Sequence, residues 1–169
     1  AIFWYLLNLK NLENKKFFNF SNKNNYVKIF IVLVFFQITF GAFTSGLDAG
    51  MIYQTWPLMN ETYFPDDFVS TNNLIGLLNQ ESFVQFIHRN LAYVITFYTI
   101  CLLVYVLYKK LSHLYNAIFY LVLIICIQVF LGILTLISGV NIIFASMHQL
   151  STIFLIIFTI NFYYRSINQ

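Results

Sequence analysis

Residues 114–137, LYNAIFYLVLIICIQVFLGILTLI, form an apolar stretch that contains no charged side chain. About 20 apolar residues suffice for a helix to cross the hydrocarbon core of a bilayer. Residues 27–47, 83–108 and 142–164 are also long and apolar enough to span. Because a helix satisfies its own backbone hydrogen bonds in lipid, the sequence predicts an all-α, integral membrane four-helix bundle.

The composition agrees with a membrane protein. The chain has 169 residues, of which 60% are hydrophobic and 9% are charged, whereas soluble domains carry roughly 25% charged residues. Cys101 and Cys126 both fall within predicted spans, where cysteine usually behaves as a small hydrophobe, so no disulfide is expected. The net charge of +3 does not indicate a nucleic-acid partner, because the lysines flank apolar spans and anchor the topology there.

The charge distribution predicts which side of the membrane each connection faces. Basic residues flank the inner ends of the spans: Lys10, Lys15, Lys16, Lys23, Lys28, Lys109, Lys110 and Arg165. Apart from Glu13, the acidic residues lie between the first two spans: Asp48, Glu61, Asp66, Asp67 and Glu81. The positive-inside rule then places both termini in the cytoplasm or matrix and the loop 48–82 outside. We therefore expect a multi-pass protein of a bacterial cytoplasmic (inner) membrane or a mitochondrial inner membrane.

The segments that flank the bundle are short. Residues 1–9 are apolar but too few to cross a bilayer, and we interpret them as the end of a truncated transmembrane helix. The predicted organisation is a truncated helix and inner linker over residues 1–26, a transmembrane bundle over residues 27–165 with an outer loop 48–82, and a tail over residues 166–169.

His88 and His148 lie near the outer ends of the second and fourth spans. A polar ring inside hydrocarbon is costly and usually has a partner or a function. Both spans run from outside to inside, and a rise of 1.5 Å per residue puts both rings roughly 8–9 Å below the outer helix ends. Two neutral imidazoles at one depth suit the two axial positions of a haem iron.

Small residues beside the histidines favour the haem interpretation. Ala92, Ala145 and Thr152 lie about one helical turn from a histidine and would let a macrocycle approach. The alternative is that each imidazole hydrogen-bonds to a neighbouring helix. Zinc is disfavoured, because it usually takes three or four ligands and no cysteine or carboxylate lies at the right depth.

Polar neighbours extend the predicted site. Arg89 follows His88 and is predicted either to pair with a haem propionate or to reach the outer headgroups. Gln85 and Gln149 are expected to line the pocket or to orient the ligands by hydrogen bonding. For both glutamines a simple interhelical hydrogen bond is the alternative.

Other features of the spans and the outer loop are interpreted as structural. Gly41 is assigned to close helix packing, and Gln37 and Gln128 are treated as isolated packing amides. Glycines on both sides of Asp48 predict a sharp exit from the first span. Residues 74–78 predict a short surface helix.

The sequence resembles the heme A synthase family, in the branch shared by alphaproteobacteria and mitochondria. The similarity runs from about residue 29 to about residue 155. The matching motifs, in chain order, are Gly41-Ala42-Phe43, Gly46-Leu47-Asp48-Ala49-Gly50, Trp56-Pro57-Leu58-Met59, Val84-Gln85-Phe86-Ile87-His88-Arg89, Gly132-Ile133-Leu134-Thr135-Leu136 and Ala145-Ser146-Met147-His148-Gln149.

The resemblance implies an eight-span protein made of two four-helix halves, of which this chain is the second. Residues 1–9 would then end the fourth span, and His88 and His148 would be the axial ligands of a haem b. The complete enzyme would convert haem O to haem A by oxidising a ring methyl group to a formyl group. The first half of the family carries a glutamate three residues before a histidine, where this chain has Gln85. The resemblance therefore places the oxidation in the missing half and leaves the catalytic residues here unknown.

The resemblance also implies partners. These are the missing N-terminal four-helix half, membrane lipid, haem O synthase, cytochrome c oxidase assembly factors and a further copy of the chain in a homo-oligomer. The alternative function is a four-helix b-type cytochrome that only carries electrons, and a third interpretation is a haem-free assembly or transport subunit. The outer loop around Asp48 and Trp56 favours the enzyme, because a pure electron carrier has no evident need for it.

Overall fold

The computed structural model describes residues 2–17 and 24–167. In this part of the chain the helices are α1 (Ile2–Asn11), α2 (Asn25–Gly46), α3 (Leu74–Leu78), α4 (Glu81–Tyr108), α5 (Tyr115–Ile137) and α6 (Ile142–Ser166). Single 3₁₀ turns occur at Ala49–Met51 and Ser112–Leu114. The predicted all-α class is confirmed, and so is the short helix in the outer loop.

Four of these helices are long and apolar enough to cross a membrane. They are Asn25–Gly46, Glu81–Tyr108, Ser112–Ile137, which includes the 3₁₀ turn before α5, and Ile142–Ser166. The predicted bounds differ from the observed helices by at most two residues at each end. The four predicted spans are therefore confirmed.

The four long helices pack as a closed ring. α2 packs on α4, α4 on α5, α5 on α6, and α6 returns to α2. The short α4–α5 and α5–α6 connections make these pairs antiparallel neighbours. α4 and α6 therefore occupy opposite corners of the bundle, so the inward-facing side chains of α4 lie across the interior from those of α6.

The main cluster of buried apolar side chains fills the half of the bundle that the charge pattern predicts to be the inner one. Phe30 of α2, Leu102 of α4, Leu121 of α5 and Phe162 of α6 are among its most buried members. The outward faces carry large exposed apolar side chains, such as Phe97, as expected for helices that face lipid. The histidines lie in the other half of the bundle, near the starts of α4 and α6.

The inner end of α6 is joined to α1 by a compact polar and aromatic cluster. Trp4 is buried, and its ring nitrogen donates to the carbonyl oxygen of Lys15 at 2.8 Å. Glu13 accepts from the Tyr164 hydroxyl at 2.7 Å and pairs with the Lys15 ammonium at 2.8 Å. These contacts hold the α1 segment against the end of α6. The interpretation of residues 1–9 as the end of a transmembrane helix stays a prediction.

We expect the α1–α6 contact to weaken in acid. Hydrogen bonds from Lys15 and Tyr164 lower the pKa of the Glu13 carboxyl below its usual value. A lowered pKa in the folded state stabilises the contact above the ordinary glutamate pKa of about 4.3, and this stabilisation is lost as the pH falls through the folded-state pKa. In a W56F background, Trp4 fluorescence should report exposure at low pH.

Glu13→Gln should remove that pH dependence, while Glu61→Gln in the exposed outer loop should leave it intact. An identical acid response of Trp4 in the Glu13→Gln variant would contradict the role of Glu13.

The outer loop between α2 and α4 folds back over the outer end of the bundle. The chain leaves α2 through Asp48, whose φ of 51° is left-handed, so the predicted sharp exit is confirmed with aspartate in the strained position. A Cβ on Gly50 would lie 3.0 Å from Val140 in the α5–α6 turn. Glycine thus lets the loop lie directly on that turn.

Tyr53 anchors the same loop from inside. Its side chain is buried, and its hydroxyl contacts the carboxylates of Asp66 and Asp67. Burial, followed by the hydrogen bonds to the two carboxylates, raises the pKa of the Tyr53 hydroxyl. The phenol therefore stays protonated and donates to the acidic pair, which links the start of the loop to its middle.

Candidate functional site

His88 lies close to the outer end of α4, with its ring against the backbone of α2. It is seven residues after Glu81, or about 10 Å along the helix. A Cβ built on Gly41 of α2 would lie 3.1 Å from Cε1, 3.7 Å from Nδ1 and 3.9 Å from Nε2 of His88. Only glycine lets the ring approach the helix this closely without displacement. The Gln37 side-chain amide nitrogen lies 3.5 Å from His88 Nε2.

His148 occupies a matching position near the outer end of α6. It is six residues after Ile142, or about 9 Å along the helix. A Cβ on Gly132 of α5 would lie 3.3 Å from Cε1, 3.7 Å from Nδ1 and 3.9 Å from Nε2 of His148. The two rings therefore lie at similar depth on opposite corners of the bundle, and each faces a glycine on a neighbouring helix.

The sequence predicts only packing roles for Gly41, Gln37 and Gln128, whereas the structure places these residues and Gly132 beside the two histidines. Gly41 and Gly132 make room for the imidazoles, and Gln37 contacts one of them. Gln128 donates to the hydroxyl of Thr152 at 3.0 Å. The missed signal is the spacing Gln-x3-Gly, which occurs in both α2 and α5.

Buried polar atoms without a hydrogen-bond partner are concentrated in the outer half of the bundle. In the part of the chain that the structure describes, they are Gln37 Oε1, Gln85 Oε1, His88 Nδ1, Arg89 Nε, Tyr93 OH, His148 Nδ1 and Thr159 Oγ1. All but Thr159 belong to the outer half. Each such atom costs about 1–3 kcal/mol, so their clustering points to a region completed by a polar ligand or by water.

The donor set fits a haem better than a bare metal ion. Among residues 2–17 and 24–167, no group of three or more His, Cys, Asp or Glu side chains could hold a metal. A metal held here by His88 and His148 would therefore need to bring its own equatorial ligands, as a porphyrin does. The Gln37 amide nitrogen can only donate, so the Nε2 atom it contacts is the acceptor. That tautomer also has the lone pair that iron requires.

Arg89 and Gln85 hold the outer loop onto α4. The two Nη atoms of Arg89 donate to the carbonyl oxygens of Tyr53 at 2.7 Å, Thr55 at 2.9 Å and Leu58 at 3.3 Å. Gln85 is buried and also donates to the Tyr53 carbonyl oxygen, at 3.0 Å. Neither alternative predicted for Arg89 included these contacts. Its pairing with a haem propionate stays a prediction.

The remaining predicted site residues lie close to the histidines along their helices. Ala92 and Ala145 are half-buried, and Thr152 donates to the His148 carbonyl oxygen at 3.1 Å. Gln149 directly follows His148, but its side chain is exposed. The structure therefore brings Gln85 and Arg89 together under the loop, and it does not bring Gln149 to them.

Replacing Arg89 with leucine should release the outer loop. Hydrogen bonds from a charged donor each contribute roughly 1.5–3 kcal/mol, and this variant loses three acceptor contacts at once. Amide hydrogen exchange over residues 53–58 should accelerate by about tenfold or more on that scale. Arg165→Leu, at the exposed inner end of α6, is the matched control. Unchanged exchange in Arg89→Leu would show that other contacts hold the loop.

Comparison with known proteins gives a consistent set of relatives. A family model described as cytochrome oxidase assembly protein matches residues 1–160. The heme A synthase of Pelagibacter ubique (strain HTCC1062) is 44% identical over 156 residues, which are 90% of this chain and 44% of that protein. The heme A synthase of Rickettsia bellii (strain RML369-C) is 40% identical over 130 residues, or 75% of this chain and 38% of that protein.

A third relative is the heme A synthase of Bartonella quintana (strain Toulouse), which is 36% identical over 133 residues. These are 77% of this chain and 37% of that protein. The chain thus spans less than half the length of these curated relatives. No solved structure matches the chain significantly.

Proposed function

The chain belongs to the cytochrome oxidase assembly protein family that includes the heme A synthases, and from this premise we propose that it is the haem-binding C-terminal half of such an enzyme. The family is one of oxidoreductases and multi-pass membrane proteins. In our proposal the complete enzyme oxidises a ring methyl group of haem O to the formyl group of haem A. The product then serves the assembly of cytochrome c oxidase.

The observation that carries this proposal is the matched environment of the two histidines. His88 and His148 lie at similar depth on opposite corners, each against a glycine and each with a buried, unpartnered Nδ1. In the proposal both histidines would hold the haem by binding its iron. A haem b bound there supplies a one-electron redox centre.

The surrounding residues would shape and close this site. Gly41 and Gly132 give the imidazoles room between the helices. Gln85 and Arg89 hold the outer loop over the outer end of the bundle, which limits access of water. Gln149 and the unpartnered Nε of Arg89 are the groups proposed to meet the polar edge of the haem.

The chain is proposed to contribute electron entry and not the oxidation itself. The position three residues before His88 is Gln85, whose amide cannot act as the carboxylate of a general base. We therefore leave the catalytic residues unassigned and place them in an N-terminal four-helix half. Haem O and haem A are then substrate and product of the two halves together.

The proposed setting follows from the same assignment. The membrane is a bacterial cytoplasmic membrane or a mitochondrial inner membrane, with the N-terminal segment and the C-terminus on the cytoplasmic or matrix side. The proposed partners are the N-terminal half, membrane lipid, haem O synthase, cytochrome c oxidase assembly factors and a second copy of the chain. No nucleic acid is among them.

Optical spectroscopy tests the proposal. The purified chain, titrated with haem b in detergent, should give the bands of a low-spin, six-coordinate iron with two imidazole ligands. Co-expression with the N-terminal half of a relative should restore haem A formation. Absence of low-spin bands at saturating haem would reject the proposed site. Low-spin bands without haem A formation would favour the electron-carrier alternative.

A further inference from the structure

One sequence pattern occurs on both α2 and α5, and each copy lies beside one of the two histidines. Residues 37–44 of α2, QITFGAFT, and residues 128–135 of α5, QVFLGILT, share Gln, Gly and Thr at the same spacing. Both threonine hydroxyls donate to the carbonyl oxygen four residues earlier, at 2.8 Å. Both glycines face the same three atoms of a histidine ring at nearly the same distances. The two copies therefore share their local geometry as well as their sequence.

At His148 the side chain of the repeated glutamine hydrogen-bonds to a threonine and not to the imidazole ring. Gln128 donates to the Thr152 hydroxyl at 3.0 Å. That hydroxyl lies one turn after His148 and donates to the His148 carbonyl oxygen at 3.1 Å. The threonine thus accepts the amide hydrogen that would otherwise face the imidazole.

At His88 the corresponding glutamine reaches the ring. The residue one turn after His88 is Ala92, which has no hydroxyl to accept from Gln37. The Gln37 amide nitrogen instead lies 3.5 Å from His88 Nε2. Ala92 and Thr152 occupy equivalent positions, four residues after a histidine. This difference in side chain accounts for the different contacts of Gln37 and Gln128.

We propose that Gln37 is a positioning residue through which His88 would be the more readily exchanged ligand of the haem, whereas His148 would be the more firmly held one. The inference rests on the proposed haem site. The Gln37 amide nitrogen lies 3.5 Å from Nε2 of His88, the ring atom whose lone pair this donor would use, so iron ligation through that atom requires this contact to break. At His148 the equivalent amide is held by Thr152.

The test compares variants of the copy beside His88 with variants of the copy beside His148. Gln37→Leu removes the competing donor, and Ala92→Thr leaves Gln37 in place but gives it the hydroxyl that Gln128 has at Thr152. Both should tighten haem b binding in an optical titration, and both should slow the replacement of an axial imidazole by carbon monoxide on the reduced haem. The expected change is about threefold to tenfold, the scale of one net hydrogen bond. Gln128→Leu is the matched control and should stay within about twofold on the same scale.

Thr152→Ala should produce the reverse effect. It frees Gln128 to face His148, so haem binding should weaken by a similar factor and exchange should accelerate. Unchanged binding and exchange in both Gln37→Leu and Ala92→Thr would overturn the inference, as would an equal change in Gln128→Leu.

A haem-free measurement separates this inference from the proposed function. In the ¹⁵N-histidine NMR spectrum of the chain without haem, His88 should be the tautomer with hydrogen on Nδ1, and its Nε2 resonance should shift in Gln37→Leu but not in Gln128→Leu. A chain that binds haem but shows neither this shift nor altered exchange rejects the inference alone. A chain that shows the shift but binds no haem rejects the proposed function, and with it the assignment of His88 as a ligand.

Discussion

Alanine at His88 or at His148 is expected to remove nearly all haem from the protein while the bundle stays folded. Each imidazole is one of only two proposed axial ligands, and each faces its own glycine on a neighbouring helix. Loss of an outer partner of a metal ligand typically costs about 10- to 100-fold in metal affinity. Loss of the ligand itself should therefore cost more than about 100-fold, measured by optical titration with haem b.

His113 supplies the control for this experiment. Its side chain is exposed in the 3₁₀ turn Ser112–Leu114 at the inner end of the bundle, so His113→Ala should bind haem like the unchanged chain. Helix content by circular dichroism should be the same in all three variants, because each histidine lies on a helix that is apolar and long enough to span without it. Full haem retention in both the His88 and the His148 variants would refute the site.

Valine at Gly41 or at Gly132 should be almost as damaging as loss of a histidine. A Cβ at these positions would lie 3.1 Å from His88 Cε1 and 3.3 Å from His148 Cε1, and valine adds two methyl groups beyond it. The imidazole must then rotate or the helices must separate, and either movement misplaces the ligand. Haem affinity should fall by about tenfold or more, comparable to the loss of a residue that orients a metal ligand.

Gly46 provides a matched glycine for comparison. It lies on the same helix as Gly41, and a Cβ there would meet no heavy atom within 4 Å. Gly46→Val makes the same substitution at the last residue of α2 but should leave haem affinity unchanged. Equal affinities in the Gly41, Gly132 and Gly46 variants would show that the glycines play no part in placing the imidazoles.

The sequence predicts the spans well because lipid imposes a uniform constraint along the whole of each helix. Every turn must satisfy its backbone and present apolar side chains, so hydropathy alone located all four long helices. The placement of both histidines near the same end of the bundle followed from alternation of the spans, and lysines such as Lys109 and Lys110 predict that this end faces outward. The charge-based assignment of membrane sides is part of our proposal.

The interior of the bundle was less predictable, because the rotation of each helix about its axis is not visible in an all-apolar sequence. Gln37 and Gln128 look alike in the sequence, yet one reaches His88 and the other reaches Thr152. Arg89 was expected to meet a propionate or the headgroups, and the structure shows it holding loop carbonyl oxygens. Such contacts depend on tertiary packing and on the path of the loop, which local sequence patterns do not encode.

The central claim is that His88 and His148 bind one iron, and pulsed electron paramagnetic resonance tests it most directly. The ferric, haem-loaded chain labelled with ¹⁵N-histidine should show two strongly coupled imidazole nitrogens on a low-spin iron. In His88→Ala and in His148→Ala, the small fraction of haem that stays bound at high haem concentration should show only one coupled nitrogen, from the remaining histidine. A spectrum with a single coupled imidazole, or one that neither substitution alters, would contradict the account.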